Sequence, residues 1–314
     1  MANYVRISTI GAGAVAGNPE VGQAAVDRMI EYWKGRFAQV LPDRPDLIVV
    51  PECCDRYLGH SMETRQEYYR FRGHQVGDFF ASVAREHHCY VAYPAVRAMA
   101  DGTWRNSVEL FDRKGRSMGF YNKNYPVTTE HTEGGILSGR DAPIFTCDFG
   151  RVGCAICFDL NFDGIRRKYV ESQPDVILFA SMYHGGLMQN YWAYSCRTHL
   201  VTAICGQPSG IISPVGEFVA STTNYFDFIT AAVNLDCEVV HLDFNGEKLT
   251  AMKEKYGPGV KVFDPGYLGA VLISSETDEV TCDELVEEFE IERLDDYMAR
   301  SIAHAEDPNN VEPA

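Results

Sequence analysis

Long apolar runs are absent from this 314-residue sequence: none approaches the ~18 residues that a membrane-spanning helix needs. Positive charge is scarce as well. Lysine and arginine total 28 against 44 aspartates and glutamates, a formal charge of −16, and no basic run occurs. That balance argues against nucleic acid and against an anionic membrane surface as partners. Internal repeats, charge blocks and low-complexity segments are missing. So is a Gly-x-Ser-x-Gly nucleophile elbow, and so is the second Cys-x-x-Cys pair that a structural zinc site would require. Residues 1–20 do not read as an export signal, since Arg6 interrupts their apolar stretch. The ten cysteines are therefore expected as reduced thiols in a cytoplasmic protein rather than as a disulfide scaffold.

What is present is an ordinary globular composition. Hydrophobic residues make up 46% of the chain, with 17 Tyr, 17 Phe and 27 Gly, enough to bury a substantial core. Residues 3–10 read as a strand, after which Asn18 and Pro19 suit the cap and first position of a helix. Val21, Ala25, Met29, Trp33, Phe37 and Val40 give that helix one apolar face. The runs at 46–52, 89–98, 151–157, 175–182 and 201–206 read as buried strands, with helices expected over 75–88, 163–171 and 187–200. Hairpins are expected at Lys114–Gly115 and within 217–236, and a last acidic helix over 282–303. Helices and strands alternate, but the hairpins interrupt them, which points to a layered α/β fold with mixed sheets. No composition shift marks a linker, so the reading is one domain over 1–280 followed by a C-terminal helix and tail over 281–314.

Two motifs invite readings that their context weakens. Gly11, Gly13 and Ala16 match the dinucleotide-binding pattern G-x-G-x-x-A. The glycine turn does not run straight into the helix, and Glu52, the next acid at a strand end, lies 41 residues after Gly11, so a flexible loop is expected instead. Cys154 and Cys157 form a Cys-x-x-Cys pair, but within a strand positions three apart face opposite sides. His87, His88 and Cys89 are the other tight cluster, and neighbouring residues make poor joint ligands. No metal site is expected.

Three segments place chemistry at strand ends. LIVVPE brings Glu52 to the end of a buried strand, YNKNYPVTTE brings Lys123 to another with Glu130 seven residues on, and GCAICFD brings Cys157 to a third. A rigid sheet aims such residues into one crevice. Glutamate and lysine are rarely buried without a partner, so Glu52 and Lys123 each call for one. A lone cysteine at a strand end is more often packing than catalysis.

Taken together, LIVVPE, KNYPVTTE and GCAICFDLNF resemble the nitrilase, or carbon–nitrogen hydrolase, superfamily, in the order Glu, Lys, Cys at intervals of 71 and 34 residues. The resemblance runs from the first strand to about residue 236. It implies a four-layer α-β-β-α sandwich with two mixed β-sheets. It implies Cys157 as nucleophile, Glu52 as general base, Lys123 as the cation beside the developing oxyanion, and Glu130 as a second, orienting glutamate. The implied activity is hydrolysis of a non-peptide carbon–nitrogen bond through a thioester, with no cofactor. A base and an ammonium near the thiol suit that chemistry, since a free thiol is mostly protonated at neutral pH.

The resemblance also narrows the substrate. Cys157-Phe158-Asp159 is similar to the amidase-type triplet rather than the Cys-Trp-Glu of nitrilases, which favours a small-molecule amide over an N-carbamoyl compound or a nitrile. Many relatives carry an arginine four residues after the nucleophile, which in carbamoylases grips a carboxylate. Here that position is Asn161, so a neutral substrate, or one held by another arginine, is implied. Phe158, Tyr125, His131, Tyr183 and His184 are candidate pocket residues, against the plainer reading of core or surface aromatics. A homodimer or larger homo-oligomer is implied, with the 282–303 helix and 241–249 as candidate contacts. A catalytically silent scaffold, an acyltransferase and a thiol-redox protein are the readings from other classes.

Overall fold

The computed structural model describes residues 1–312 and groups them into two compact units, Val5–Val233 and a second formed by Met1–Tyr4 with the chain from Asn234 onward. The sequence reading divides the chain after residue 280; the observed division lies at Val233/Asn234 because the later strands pair among themselves. The last two positions of the expected tail, 313–314, lie outside the described residues. No helix among the described residues is long and apolar enough to cross a membrane.

In the larger unit, β1 (Tyr4–Ile10) leads through the glycine loop to α1 (Gln23–Val40) and then β2 (Leu47–Val49). The helix begins after Gly22, not at Asn18 and Pro19. Residues before it are spent elsewhere: the N–H groups of Leu58 and Gly59 bond to the carbonyls of Val15 and Gly17, tying this segment to a neighbouring loop. Ala25, Met29, Trp33, Phe37 and Val40 are buried as the periodicity predicts. Nor is the glycine loop a flexible one at its start. A Cβ on Gly11 would stand 2.5 Å from Ser209 Oγ, so glycine is required there for close backbone approach.

Helix α2 (Met62–Arg72) escapes the sequence reading because its composition is polar; it buries only Tyr68, Tyr69 and Arg72, with Ser61 accepting the N–H of Thr64 as its cap. Then come α3 (Gln75–His87), β3 (Tyr90–Ala98), β4 (Trp104–Phe111), β5 (Ser117–Asn122) and the short α4 (Thr128–Thr132). The β4–β5 turn is set by Asp112, whose Oδ1 accepts the N–H groups of Lys114 and Arg116. Next are β6 (Phe145–Thr146), β7 (Arg151–Ile156), α5 (Asp163–Ser172), β8 (Val176–Ser181), α6 (Leu187–Cys196) and β9 (His199–Ile204). Helix α6 stops short of the expected residue 200 because Arg197 turns left-handed, with φ 52°. The unit ends with β10 (Gly210–Ile212), β11 (Phe218–Ser221) and β12 (Phe228–Asn234).

These strands form two six-stranded sheets, ordered β12-β1-β2-β3-β4-β5 and β11-β10-β9-β8-β7-β6. Both are mixed: β1, β2 and β3 run parallel while β4 and β5 are antiparallel, and β7, β8 and β9 run parallel while β6 and β10 are antiparallel to their neighbours. The sheets lie face to face with helices outside, the α-β-β-α sandwich expected. Thr9 Oγ1 on β1 crosses the interface to donate to the Thr202 carbonyl on β9 at 2.7 Å.

The second unit has its own sheet, ordered β13-β15-β14, from β13 (Cys237–His241), β14 (Val260–Phe263) and β15 (Ala270–Ser275), with α7 (Gly246–Tyr256) between the first two. Val240, Leu249, Met252, Val271, Ile273 and Leu285 form its core. The expected last helix is broken into α8 (Cys282–Glu288) and α9 (Leu294–Glu306). Asn245 holds the break open: its Oδ1 accepts the N–H of Glu292 and its Nδ2 donates to the Glu292 carbonyl. Met298 consequently lies on an exposed face of α9 rather than in a buried stripe.

Candidate active site

Three of the four motif residues follow the end of a strand, and the fourth lies in a short helix. Glu52 lies three residues past β2, Lys123 immediately past β5, Glu130 within α4, and Cys157 immediately past β7. The hydrophobic strands carry charged residues into the interior, and both Glu52 and Lys123 are almost wholly buried, at 3% and 1% exposure. Buried charges need partners. Lys123 Nζ donates to Glu52 Oε1 at 2.8 Å and to Glu130 Oε2 at 2.7 Å. Burial alone would lower the Lys123 ammonium, but the two carboxylates outweigh it and hold the group well above the ordinary lysine range. An ammonium has three N–H bonds, so one remains after these two.

Asn106 completes the group and was not a candidate in the sequence reading. It is fully buried on β4, and its Nδ2 donates to Glu52 Oε1 at 2.7 Å and to Glu130 Oε1 at 2.9 Å. Both acceptors are carboxylates, which fixes the orientation of the amide. The remaining oxygen, Glu52 Oε2, accepts the N–H of Met182, and Glu130 Oε2 accepts that of Val127 as well as Lys123. An asparagine in a strand carries no motif by itself; its buried setting on β4 is the signal, and only pairing with β5 discloses it. The same pairing sets Lys123, whose N–H bonds to the Asn106 carbonyl at 2.8 Å.

Cys157 opens a short 3₁₀ turn, Cys157–Asn161, in a left-handed conformation at φ 50°. Such a backbone is strained for a residue with a side chain, by about 1–3 kcal/mol. Burial pushes the thiol up to about 12, the Glu52 carboxylate adds to the rise, and Lys123 and the Met182 N–H pull against it. The resting thiol is thus protonated, with the Glu52 carboxylate in hydrogen-bonding reach. Cys154, by contrast, is fully buried inside β7, where Tyr169 bonds to its backbone N–H and carbonyl. Gly153 beside it is obligatory for that contact, since a Cβ would stand 2.6 Å from the Tyr169 ring. None of the ten cysteines is joined in a disulfide.

Asp159 braces the turn. Its Oδ2 accepts the hydroxyl of Tyr121 at 2.6 Å and the N–H of Ile156 at 3.0 Å, and its Oδ1 accepts the N–H of Tyr125 at 2.8 Å. Burial pushes its carboxyl up to about 6 against those donors.

The candidate pocket residues divide. Phe158 is exposed and meets Phe162 edge-on at 5.1 Å, and Tyr125 stacks on the same ring at 3.9 Å. Tyr183 accepts from Asn161 Nδ2 at 2.8 Å, and burial raises its hydroxyl while that hydrogen bond opposes the rise. His131 and His184 make local bonds. His131 is exposed on α4 with Nδ1 at 3.2 Å from the Ile136 carbonyl, and His184 Nδ1 accepts the N–H of Gly186 within its own turn. Arg56, four residues after Glu52, is a second missed residue. It is half-buried, its Nη2 rests on the Met182 sulfur at 3.8 Å, and its Nε is buried without a hydrogen-bond partner. The nearby acids are engaged elsewhere, Asp55 with Arg72 and Glu52 with Lys123. Among the described residues no group of three or more His, Cys, Asp or Glu is arranged to hold a metal ion.

Comparison with known proteins adds a family to this geometry. The structure is similar to a carbon-nitrogen hydrolase from Helicobacter pylori, with a TM-score of 0.64 and 14% identity over 74% of this chain and 90% of that one. It is similar to Nit3 of Saccharomyces cerevisiae, a member of the nitrilase superfamily, at a TM-score of 0.58 and 13% identity over 81% and 95% of the two chains. It is also similar to a mutant amidase from Nesterenkonia sp. AN1, at 0.60 and 14% over 74% and 90%; that amidase carries the acetamide moiety of fluoroacetamide added covalently at its active-site cysteine. At these identities the likeness is one of fold. A comparison with curated protein sequences finds no match. The family model for carbon-nitrogen hydrolases matches residues 12–236, most of the chain and every residue of the site just described, so this chain belongs to the carbon-nitrogen hydrolase family.

Proposed function

We propose that this carbon-nitrogen hydrolase cleaves a small-molecule amide through a thioester on Cys157. The observation that carries the reading is the closed ring of hydrogen bonds joining Glu52, Lys123, Glu130 and Asn106 beside a protonated thiol. A thiol pushed up to about 12 has almost no standing thiolate at neutral pH, so attack requires a base at the moment of reaction. Glu52 is that base. As sulfur attacks the carbonyl carbon, the thiol proton passes to Glu52 and the carbonyl π pair moves onto oxygen. The third N–H of Lys123 and the N–H of Phe158, the second residue of the 3₁₀ turn and without an acceptor in it, meet the oxyanion. Glu52 then gives its proton to the leaving amine as the carbon–nitrogen bond breaks. Water attacks the thioester as Glu52 takes its proton, and on collapse the carbon–sulfur bond breaks, the carboxylic acid leaves, and Glu52 returns the proton to sulfur, restoring both thiol and base. Glu130 holds Lys123 and, with Asn106, keeps the ring closed. The covalent adduct on the Nesterenkonia amidase's cysteine supports a covalent route by analogy.

The test is ammonia release from a panel of amides, N-carbamoyl compounds and nitriles, with Cys157→Ala in parallel. Release from amides that disappears in the variant supports the proposal. Release confined to carbamoyl compounds or nitriles moves the substrate class, and undiminished release by Cys157→Ala overturns the nucleophile.

A further inference from the structure

The turn that carries Glu52, residues 52–55, rests on a buried ion pair that takes no part in the ring of hydrogen bonds. Asp55 is fully buried, and Arg72 at the end of α2 is 3% exposed. Arg72 Nε stands 2.5 Å from Asp55 Oδ2, an ion pair without an aligned hydrogen bond, and the Tyr93 hydroxyl donates to the same oxygen at 2.6 Å. The other guanidinium nitrogens go to main chain: Nη1 donates to the Gly73 carbonyl and Nη2 to the Val96 carbonyl, each at 2.6 Å. Val96 on β3 is the register partner of Asn106 on β4. Arg72 therefore ties the turn bearing Glu52 to the strand position opposite Asn106, the residue that donates to Glu52 Oε1 at 2.7 Å.

Stability alone does not account for the pair. A buried ion pair is often no more stabilising than apolar side chains of the same volume, because both charges must be stripped of water. The turn, however, needs holding. Cys53, next to Glu52, is left-handed at φ 49°, a backbone that persists only where its surroundings over-determine it. The Cys54 N–H bonds to the Pro94 carbonyl at 2.9 Å, and Trp33 Nε1 donates to the Cys54 carbonyl at 2.9 Å. Asp55 adds an ionic tie to these.

Resting on the reading above, in which Glu52 is the base, we propose that Asp55, paired with Arg72, is a positioning residue that fixes the turn at Cys53 and so aims the Glu52 carboxylate at Asn106, Lys123 and the Cys157 thiol. Asp55 touches neither substrate nor reacting atoms. It acts only through Glu52.

Cys157 serves as the reporter, so the test does not depend on turnover. The Glu52 carboxylate helps to hold that thiol up near 12, while Lys123 and the Met182 N–H oppose it. A displaced Glu52 makes the thiol more acidic, and a larger thiolate fraction alkylates faster at a given pH. The rate of iodoacetamide labelling of Cys157, read by mass spectrometry of its peptide over a series of alkaline buffers, is compared in wild type, Asp55→Asn, Glu52→Gln and the double variant. Asparagine keeps the shape of the side chain, and Asp55 Oδ1 has no partner for its amide to disturb. Asp55→Asn is expected to label faster than wild type, in the direction of Glu52→Gln, and to change nothing further once Glu52 is glutamine. On the amide that the panel identifies, kcat should fall roughly 10- to 100-fold, the scale of a misplaced catalytic group, with KM held within about threefold. Asp55→Leu with Arg72→Met leaves no unpaired charge; it should melt near the wild type, keep the altered labelling, and carry the same comparison if Asp55→Asn does not fold. Wild-type labelling in folded Asp55→Asn, an equal effect with and without the Glu52 carboxylate, or labelling and kcat restored by the apolar pair would overturn the positioning role. The expected labelling pattern without hydrolysis of any amide would sustain that role and sink the amide reading.

Discussion

Asn106 Nδ2 stands 2.7 Å from Glu52 Oε1, and the same nitrogen reaches Glu130 at 2.9 Å, so one neutral amide links the two carboxylates that flank Lys123. Replacing it by leucine removes a donor from both carboxylates. A lost partner of this kind costs about 1–3 kcal/mol, so kcat/KM should fall roughly tenfold or more. Asn106→Asp should be worse, as a third carboxyl replaces the donor. A stable Asn106→Leu protein with an unchanged kcat/KM would make Asn106 a packing residue.

Glu52→Gln separates two roles of the glutamate. The carboxylate helps to hold the Cys157 thiol up near 12, so its loss should bring the thiol titration down. Hydrolysis should nevertheless fall by roughly 10²- to 10⁴-fold, the usual worth of a positioned base. Thiolate absorbance and ammonia release measure the two effects on one preparation. If activity is retained while the thiol becomes more acidic, Glu52 is a counter-ion and not the base.

The turn carrying Cys157 should depend on Asp159. Three donors converge on its two oxygens, and asparagine would turn an N–H₂ toward at least one of them. Asp159→Asn is expected to destabilise the protein by about 1–3 kcal/mol, and each kcal/mol lowers Tm by roughly 2–4 °C at this size. Calorimetry that finds no change would mean the turn holds its shape without the carboxylate.

His74 predicts a slope of stability with pH. The bond to Glu109 leads the rise of its imidazolium to about 9 from 6.5, with Asp78 adding to it against burial. The folded state therefore holds this proton more tightly than the unfolded chain. The stabilisation is fully present below 6.5 and is lost as pH rises through 9. In His74→Gln the urea midpoint should decline less over that window, the gap from wild type closing by about pH 9. Parallel curves for the two proteins across the window would refute the assignment.

Much of the site was legible because its parts announce themselves locally. Apolar runs ending in Glu52, Lys123 and Cys157 mark strands that carry reactive groups into the interior, and the same period-two and helical patterns give the layered α/β class. What periodicity misses is polar or indirect. Helix α2 buries three residues of an otherwise charged surface, so it has no apolar stripe to read. The split between α8 and α9 is made by Asn245, distant in sequence from Glu292.

By itself, then, the sequence determined which residues can react and the order of the strands that bring them inward, because hydrophobic patterning and residue chemistry are local. Which groups meet was decided only by tertiary structure. Pairing of β4 with β5 sets Asn106 beside Lys123, and the two sheets packed face to face bring Glu52 to Met182 across 130 residues of chain. The charge on a buried carboxylate, ammonium or thiol follows from its neighbours in space, and a linear sequence does not contain those distances.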